Sequence, residues 1–84
     1  MGEALISNQN FSGTLTVSGR DIRFRAEGRK NRVQLTNAGF NKKTGKWILF
    51  FGRYGRFEVR KGQLSALDAE LTRLFEAAAR LQAA

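Results

Sequence analysis

The sequence predicts an α+β fold, in which an antiparallel meander of five strands is followed by one C-terminal amphipathic helix. Apolar and polar residues alternate with a period of two in successive runs between residues 11 and 61. Short polar segments that contain glycine separate these runs, as hairpin turns do. After Gly62 the apolar period changes to 3.6 and continues without glycine or proline, which predicts a helix over residues 65–83.

The first hairpin is predicted from runs at 11–17 and 21–26 that flank Ser18-Gly19. Residues 1–10 are polar and aperiodic after Ile6, so we expect a flexible arm there, which can end in a short strand. A single domain is expected over 11–84, with the sheet at 11–61.

The third strand is expected from Arg32 to about Phe40, with a bulge at Asn37–Gly39, because glycine inside a strand often marks one. The run 46–51 is apolar on both faces, which favours a central strand. The last strand is expected at 56–60, and a meander of this kind can curl toward a barrel.

The helix is predicted to begin at Ser65 as its N-cap, with Asp68 near its positive end. Glu70–Arg73 and Glu76–Arg80 are favourably spaced charge pairs. One stripe contains the apolar residues Leu67, Leu71, Leu74, Phe75, Ala78 and Leu81. We expect this stripe to cover one face of the sheet.

Strand parity then divides the remaining side chains between the two faces of the predicted sheet. The covered face takes Leu15, Val17, Ile22, Phe24, Val33, Leu35, Phe57 and Val59. The open face displays arginines together with one apolar set from the strand 46–51. That set is either Trp47, Leu49 and Phe51 or Ile48 and Phe50, and parity leaves both choices open.

Composition excludes several classes of function. The chain of 84 residues has no cysteine and no histidine, which excludes disulfides and thiolate metal sites and removes the commonest general base. Serine and threonine therefore lack a histidine to activate them, so we expect a protein that is not an enzyme and has no cofactor or metal. No run approaches the 18 apolar residues of a membrane span, and we expect a cytoplasmic protein.

The charge is unevenly distributed along the chain. Of the net +8, residues 1–63 carry +9, with 13 of the 15 Lys and Arg residues, and residues 64–84 carry −1. Arginines beside an aromatic strand are typical of nucleic-acid surfaces, because guanidinium groups bind phosphates and aromatic rings stack on bases.

We therefore predict binding of single-stranded DNA or RNA on the open sheet face. The candidate contacts are Arg23, Arg25, Arg32, Lys42, Lys43, Lys46, Trp47, Phe50, Arg53, Tyr54, Arg56 and Arg60. An alternative use of the two-sided strand is to bury its aromatics in a homodimer, which is compatible with nucleic-acid binding and is also expected.

The predicted order of strands, with a last strand that ends at Gly62 and one C-terminal amphipathic helix, resembles the Whirly, Pur-alpha and positive-cofactor-four group of single-stranded nucleic-acid-binding proteins. The segment Val59-Arg60-Lys61-Gly62-Gln63-Leu64-Ser65, which leads into the helix, is similar to the helix entry of the positive-cofactor-four type. This resemblance implies a dimer that binds single strands along a curved β-surface. It also implicates the strand that contains Trp47 and Phe50, with the basic residues beside it.

The segments Gly13-Thr14-Leu15-Thr16-Val17 and Ile22-Arg23-Phe24 resemble the opening hairpin of pleckstrin-homology or GRAM-like domains. That resemblance implies a split barrel ending in one helix, which binds anionic headgroups or a protein. A small chromatin-type barrel and a phage- or plasmid-type interaction protein are further alternatives.

Overall fold

The computed structural model describes residues 2–83, with the side chains of residues 2–78, and it shows two antiparallel sheets and one C-terminal helix. Sheet A contains, in spatial order, β1 (Gly2–Ser7), β2 (Ser12–Ser18), β3 (Asp21–Ala26) and β4 (Val33–Gln34). Sheet B contains β5 (Asn37–Asn41), β6 (Lys46–Phe50) and β7 (Arg56–Arg60). A 3-10 turn at Gly52–Tyr54 precedes β7, and α1 (Ser65–Ala83) follows it. The α+β class is confirmed, whereas the single five-stranded sheet is wrong.

The predicted flexible arm instead contains strand β1. It pairs with β2 along its whole length, from Gly2 opposite Val17 to Ser7 opposite Ser12. Ile6 is buried in the core. The sequence indicated at most a short strand in this arm, because the apolar pattern ends at Ile6, whereas pairing with β2 gives a strand of six residues.

The predicted third strand is divided into β4 and β5 at Leu35 and Thr36. The backbone N–H of Leu35 donates to Ile22 O in sheet A at 2.9 Å, and that of Thr36 donates to Phe50 O in sheet B at 2.8 Å. Consecutive residues therefore bond to different sheets, and the chain passes from one sheet to the other here. The irregularity precedes the bulge predicted at Asn37–Gly39, where β5 pairs regularly with β6.

The two sheets face each other across the core, so the prediction of one sheet with one open face is wrong. Trp47, Leu49 and Phe51 point inward from sheet B, which settles the choice that parity left open. The sheet A side of the core includes Leu15, Val17, Ile22 and Phe24. A single helix cannot cover the inner faces of all seven strands, and the sheets bury most of this apolar surface against each other.

Helix α1 has the predicted bounds and packs at one end of this core. Its residues Leu67 and Leu71 are fully buried, whereas Leu74 and Phe75 are each 40% exposed and Ala78 is exposed. The carbonyl of Leu64 accepts the first hydrogen bonds of the helix, so Leu64 occupies the N-cap position and the prediction of Ser65 as the N-cap is wrong. Glu70 and Arg73 form the predicted ion pair. The stripe residue Leu81 and the Glu76–Arg80 pair lie outside the described side chains.

No helix within residues 2–83 has the length and apolar character needed to cross a membrane.

Candidate nucleic-acid interface

The outer face of sheet B brings basic and apolar side chains together in three cross-strand rows. Strand β6 lies between β5 and β7, so each of its outward residues has a neighbour on both sides. The rows are Asn37–Phe50–Arg56, Gly39–Ile48–Glu58 and Asn41–Lys46–Arg60. We call these residues, with the adjoining loops 42–45 and 52–55, the sheet B surface.

An apolar strip runs along the middle of the sheet B surface. Phe50 is 37% exposed, and Ile48 beside it is half-buried. Gly39 pairs with Ile48, and a Cβ at Gly39 would meet no other atom within 4 Å. The space above Ile48 and Phe50 is therefore open, and a flat ring could lie there.

Cations surround this strip, and one acid lies among them. Glu58 forms ion pairs with Arg56 at 2.9 Å and with Lys46 at 3.8 Å. All three side chains remain well exposed, so these pairs contribute little to stability and leave the cations accessible. Arg60 forms no ion pair within the described part of the chain.

The loops at the two ends of the strands extend the basic surface. The turn between β5 and β6 adds Lys42 and Lys43, and the loop before β7 adds Arg53, all of them exposed. The sheet B surface thus presents six Lys and Arg side chains with Glu58 as its acid. Phosphates could bind along it without a change in the fold.

The structure gathers seven of the twelve predicted contact residues on this surface. They are Lys42, Lys43, Lys46, Phe50, Arg53, Arg56 and Arg60. Arg23 and Arg25 lie on the outer face of sheet A, and Arg32 lies in the loop before β4. The predicted set is therefore divided between two sides of the molecule.

The rings of two predicted contact residues, Trp47 and Tyr54, are buried in the core. Trp47 is 4% exposed and lies between the rings of Phe40 and Phe75. Tyr54 is 5% exposed and contacts Phe24 inside the core. Neither ring has a free face for a base.

The structure also has two clefts that sequence reasoning did not identify. One, of about 750 Å³, lies on sheet A and is lined by Leu5, Arg25, Arg29 and Lys30 among others. The other, of about 560 Å³, lies between the β1–β2 turn and the loop before β7. The clustered basic residues at 29–32 were the available signal for the first cleft. The second cleft is formed by segments 46 residues apart in the chain, so no local sequence pattern could have indicated it.

Among residues 2–83, no group of three or more His, Cys, Asp or Glu side chains is placed to hold a metal ion. No family model matches the chain, and neither the curated proteins nor the solved structures provide a match.

Proposed function

We propose that this protein binds single-stranded DNA or RNA on the sheet B surface. The observation that supports the proposal is the concentration of six cations with one acid on the same side of sheet B as the exposed Phe50. Stacking a base on an aromatic ring is favourable for every base, and the bases of single strands are free to stack. The proposal includes the non-enzymatic role and the cytoplasmic location predicted from the sequence.

The arrangement of charge fits a strand that follows β6. Lys46 and Phe50 are four residues apart, which corresponds to about 13 Å along a strand. Arg60 and Arg56 accompany them on β7. A single strand that neutralises about four to six of these cations would show a slope of roughly −3 to −4 in log K against log salt.

The test is an anisotropy titration of a fluorescent single-stranded oligonucleotide with two matched double variants. Arg56→Glu with Arg60→Glu changes the sheet B surface, whereas Arg23→Glu with Arg25→Glu makes the same charge change on sheet A. Each pair contains one arginine in an exposed ion pair, Arg56 with Glu58 and Arg23 with Asp21. The sheet B variant should bind more weakly and lose roughly 1 to 2 units of salt slope, because two phosphate contacts are removed.

The sheet A variant should retain the wild-type slope. Equal weakening by the two variants would show that net charge alone governs binding, and it would contradict the proposed surface. No anisotropy change for the wild type at about 50 mM salt, where contacts of this kind are strong, would contradict the function itself.

A second candidate function is binding of an anionic lipid headgroup in the sheet A cleft. Arg25, Arg29 and Lys30 line this cleft together with Leu5, which is 82% exposed. Cations beside an exposed leucine suit a negatively charged group attached to an apolar chain. The resemblance to pleckstrin-homology and GRAM-like domains implies the same ligand class.

This candidate predicts that the protein sediments with phosphoinositide-containing vesicles and not with phosphatidylcholine vesicles. Arg29→Glu with Lys30→Glu should abolish the sedimentation, and Arg56→Glu with Arg60→Glu should not. Sedimentation with neither kind of vesicle would exclude the headgroup function.

The homodimer predicted from the sequence is a separate proposal, here on a surface of α1 and not on the strand 46–51 from which the sequence predicted it. Leu74 and Phe75 on α1 are each 40% exposed and offer apolar surface for a second copy. Sedimentation velocity should then give twice the monomer mass, and Leu74→Glu should return the monomer. A monomeric wild-type protein at high concentration would contradict this proposal.

A further inference from the structure

We infer that the cleft between the β1–β2 turn and the loop before β7 holds one nucleobase and sets the base preference of the protein, an inference that rests on the proposed function. The cleft is lined by Ser7–Phe11, by Arg53–Arg56 and by Glu58. Its volume of about 560 Å³ is within the range of about 300–1,000 Å³ typical of small-molecule sites. Arg56 and Glu58 belong both to the cleft and to the sheet B surface, so a strand bound there could place its next base in the cleft.

One side chain holds the two walls of the cleft together. The Nδ2 group of Asn8 donates to Tyr54 O at 2.9 Å and to Arg56 O at 3.0 Å. Its Oδ1 accepts from the backbone N–H groups of Asn10 and Phe11 at 2.9 and 2.7 Å. Both polar groups of the Asn8 side chain are thus used within the protein, and the β1–β2 turn is fixed against the opposite loop. A cleft built in this way is already formed before a ligand binds.

The two residues that follow Asn8 carry the groups that could recognise a base. Gln9 and Asn10 are exposed, and within residues 2–83 their side-chain amides have no hydrogen-bond partner. An amide carries both a donor and an acceptor, and it can therefore match the edge of a base. Unpaired bases present these edges in single strands.

An aromatic ring and a cation complete the cleft. Phe11 is 38% exposed, and its ring meets Tyr54 edge to face at a centroid distance of 5.0 Å. The contact with the buried Tyr54 fixes the Phe11 ring, and its exposed part can stack on a base. Arg53 lies 5.4 Å from the centroid of the Tyr54 ring and can reach a phosphate. The carboxylate of Glu58, which also lines the cleft, disfavours an acidic peptide there, whereas the neutral amides of Gln9 and Asn10 beside an aromatic ring can contact an uncharged base.

The experiment compares the affinities of four homo-oligonucleotides, one for each base, at one salt concentration. The wild type should prefer its best base over its worst by about tenfold, the discrimination that one good amide–base pair supplies. Gln9→Ala with Asn10→Ala should bring the four affinities to within about twofold of one another. The salt slope should be unchanged, since the variant removes no cation.

The matched control is Asn31→Ala with Gln34→Ala, which removes the same two side-chain types from exposed positions on the sheet A side. This control should keep the wild-type preference. Equal binding of all four oligonucleotides by the wild type, or an unchanged preference in Gln9→Ala with Asn10→Ala, would overturn the inference and leave the proposed function intact. Failure of every oligonucleotide to bind would overturn both.

Photo-crosslinking provides a readout that needs no variant. An oligonucleotide that contains 5-iodouracil should form adducts at Phe11 when irradiated with the wild-type protein, because the base lies against this ring. Adducts confined to residues of sheet A would overturn the inference.

Discussion

The indole Nε1 of Trp47 donates a 2.8 Å hydrogen bond to Oδ1 of Asp68, which joins strand β6 to helix α1. The second oxygen of the same carboxylate accepts from the backbone N–H of Gly62, also at 2.8 Å. The Trp47 ring lies parallel to that of Phe75, with 5.8 Å between centroids. One carboxylate thus connects sheet B, the segment before the helix and the first turn of the helix.

Asp68→Ala should reduce the free energy of unfolding by about 1–3 kcal/mol, because it leaves the buried indole N–H without a partner. Asp68→Asn retains one accepting oxygen and should lose less. Urea denaturation followed by the fluorescence of Trp47, the one tryptophan of the chain, measures both values. Equal losses in the two variants would show that the charge and not the accepting oxygen stabilises the fold.

Gly13→Ala should destabilise the protein by more than about 2 kcal/mol, because the added methyl group has no space. A Cβ at Gly13 would lie 2.1 Å from Arg25 O and 2.9 Å from the Cα of Ala26, both backbone atoms of the neighbouring strand. Relief of this contact requires β2 and β3 to separate. Gly39→Ala is the matched control, since a Cβ there meets nothing within 4 Å.

Gly39→Ala should change the free energy of unfolding by less than about 1 kcal/mol. Gly39 has no positive φ, and alanine loses less backbone conformational entropy than glycine when a strand forms. The midpoints of urea denaturation compare the two variants. A Gly13→Ala protein as stable as Gly39→Ala would contradict the close approach of β2 to Arg25 O.

Helix α1 could be predicted from the sequence because its information is local, whereas the arrangement of the strands depends on distant partners. The period of 3.6 and the absence of glycine and proline gave the bounds of α1. In β6 the alternation of side chains allows either apolar set, the one with Trp47 or the one with Ile48, to face the core. The sheet that faces β6 and the acceptor that Asp68 provides for Trp47 determine which set is buried. The break at Leu35 has no glycine or proline to mark it, since it arises from hydrogen bonds to two different sheets.

The candidate site, too, could be predicted from the sequence only where its residues are close together in the chain. Alternation correctly placed Arg23 and Arg25 on an outward face, as it did Arg56 and Arg60. Alternation gives the face of a strand but not the sheet to which the strand belongs, and the two pairs lie on different sheets. The seven predicted residues that do come together belong to β6, β7 and their loops, which are neighbours in the sequence.

The stability contributed by Glu70 should depend on pH. Hydrogen bonds from Arg73 lower the pKa of the Glu70 carboxyl below its usual value of 4.5, with a further contribution from the charges of Arg73 and Arg20, although burial opposes the shift. A carboxyl whose pKa is lower in the folded state stabilises the fold above about pH 4.5, its unfolded pKa, and this stabilisation is lost as the pH falls through the lowered value.

Urea denaturation of the wild type and Arg73→Gln at several pH values tests this dependence. The wild type should be the more stable protein near neutral pH, and the difference should shrink below about pH 4.5 as Glu70 becomes protonated. Glu70→Gln should show the same convergence, and the two substitutions should be less than additive when combined. A difference that stays constant down to acid pH would contradict the role of this ion pair.

Phe50 and Phe51 are adjacent in the chain but point to opposite sides of sheet B, and their alanine variants should therefore affect different properties. Phe51 is fully buried against Phe24 and Phe57, so Phe51→Ala should cost about 3–5 kcal/mol of stability. Phe50 is 37% exposed and lies between Asn37 and Arg56, so Phe50→Ala should lower the free energy of unfolding by less than about 1 kcal/mol.

Oligonucleotide affinity should respond to Phe50 through the stacking of a base on its ring. Phe50→Ala should weaken binding by about 5- to 150-fold, since base–aromatic stacking contributes about 1–3 kcal/mol. Phe50→Tyr should retain most of the affinity because it preserves the ring. Leu5→Ala, at an 82% exposed apolar position on sheet A, is the control and should bind as the wild type does. An unchanged affinity in Phe50→Ala, measured by the same anisotropy titration, would remove the sheet B surface as the site of base stacking.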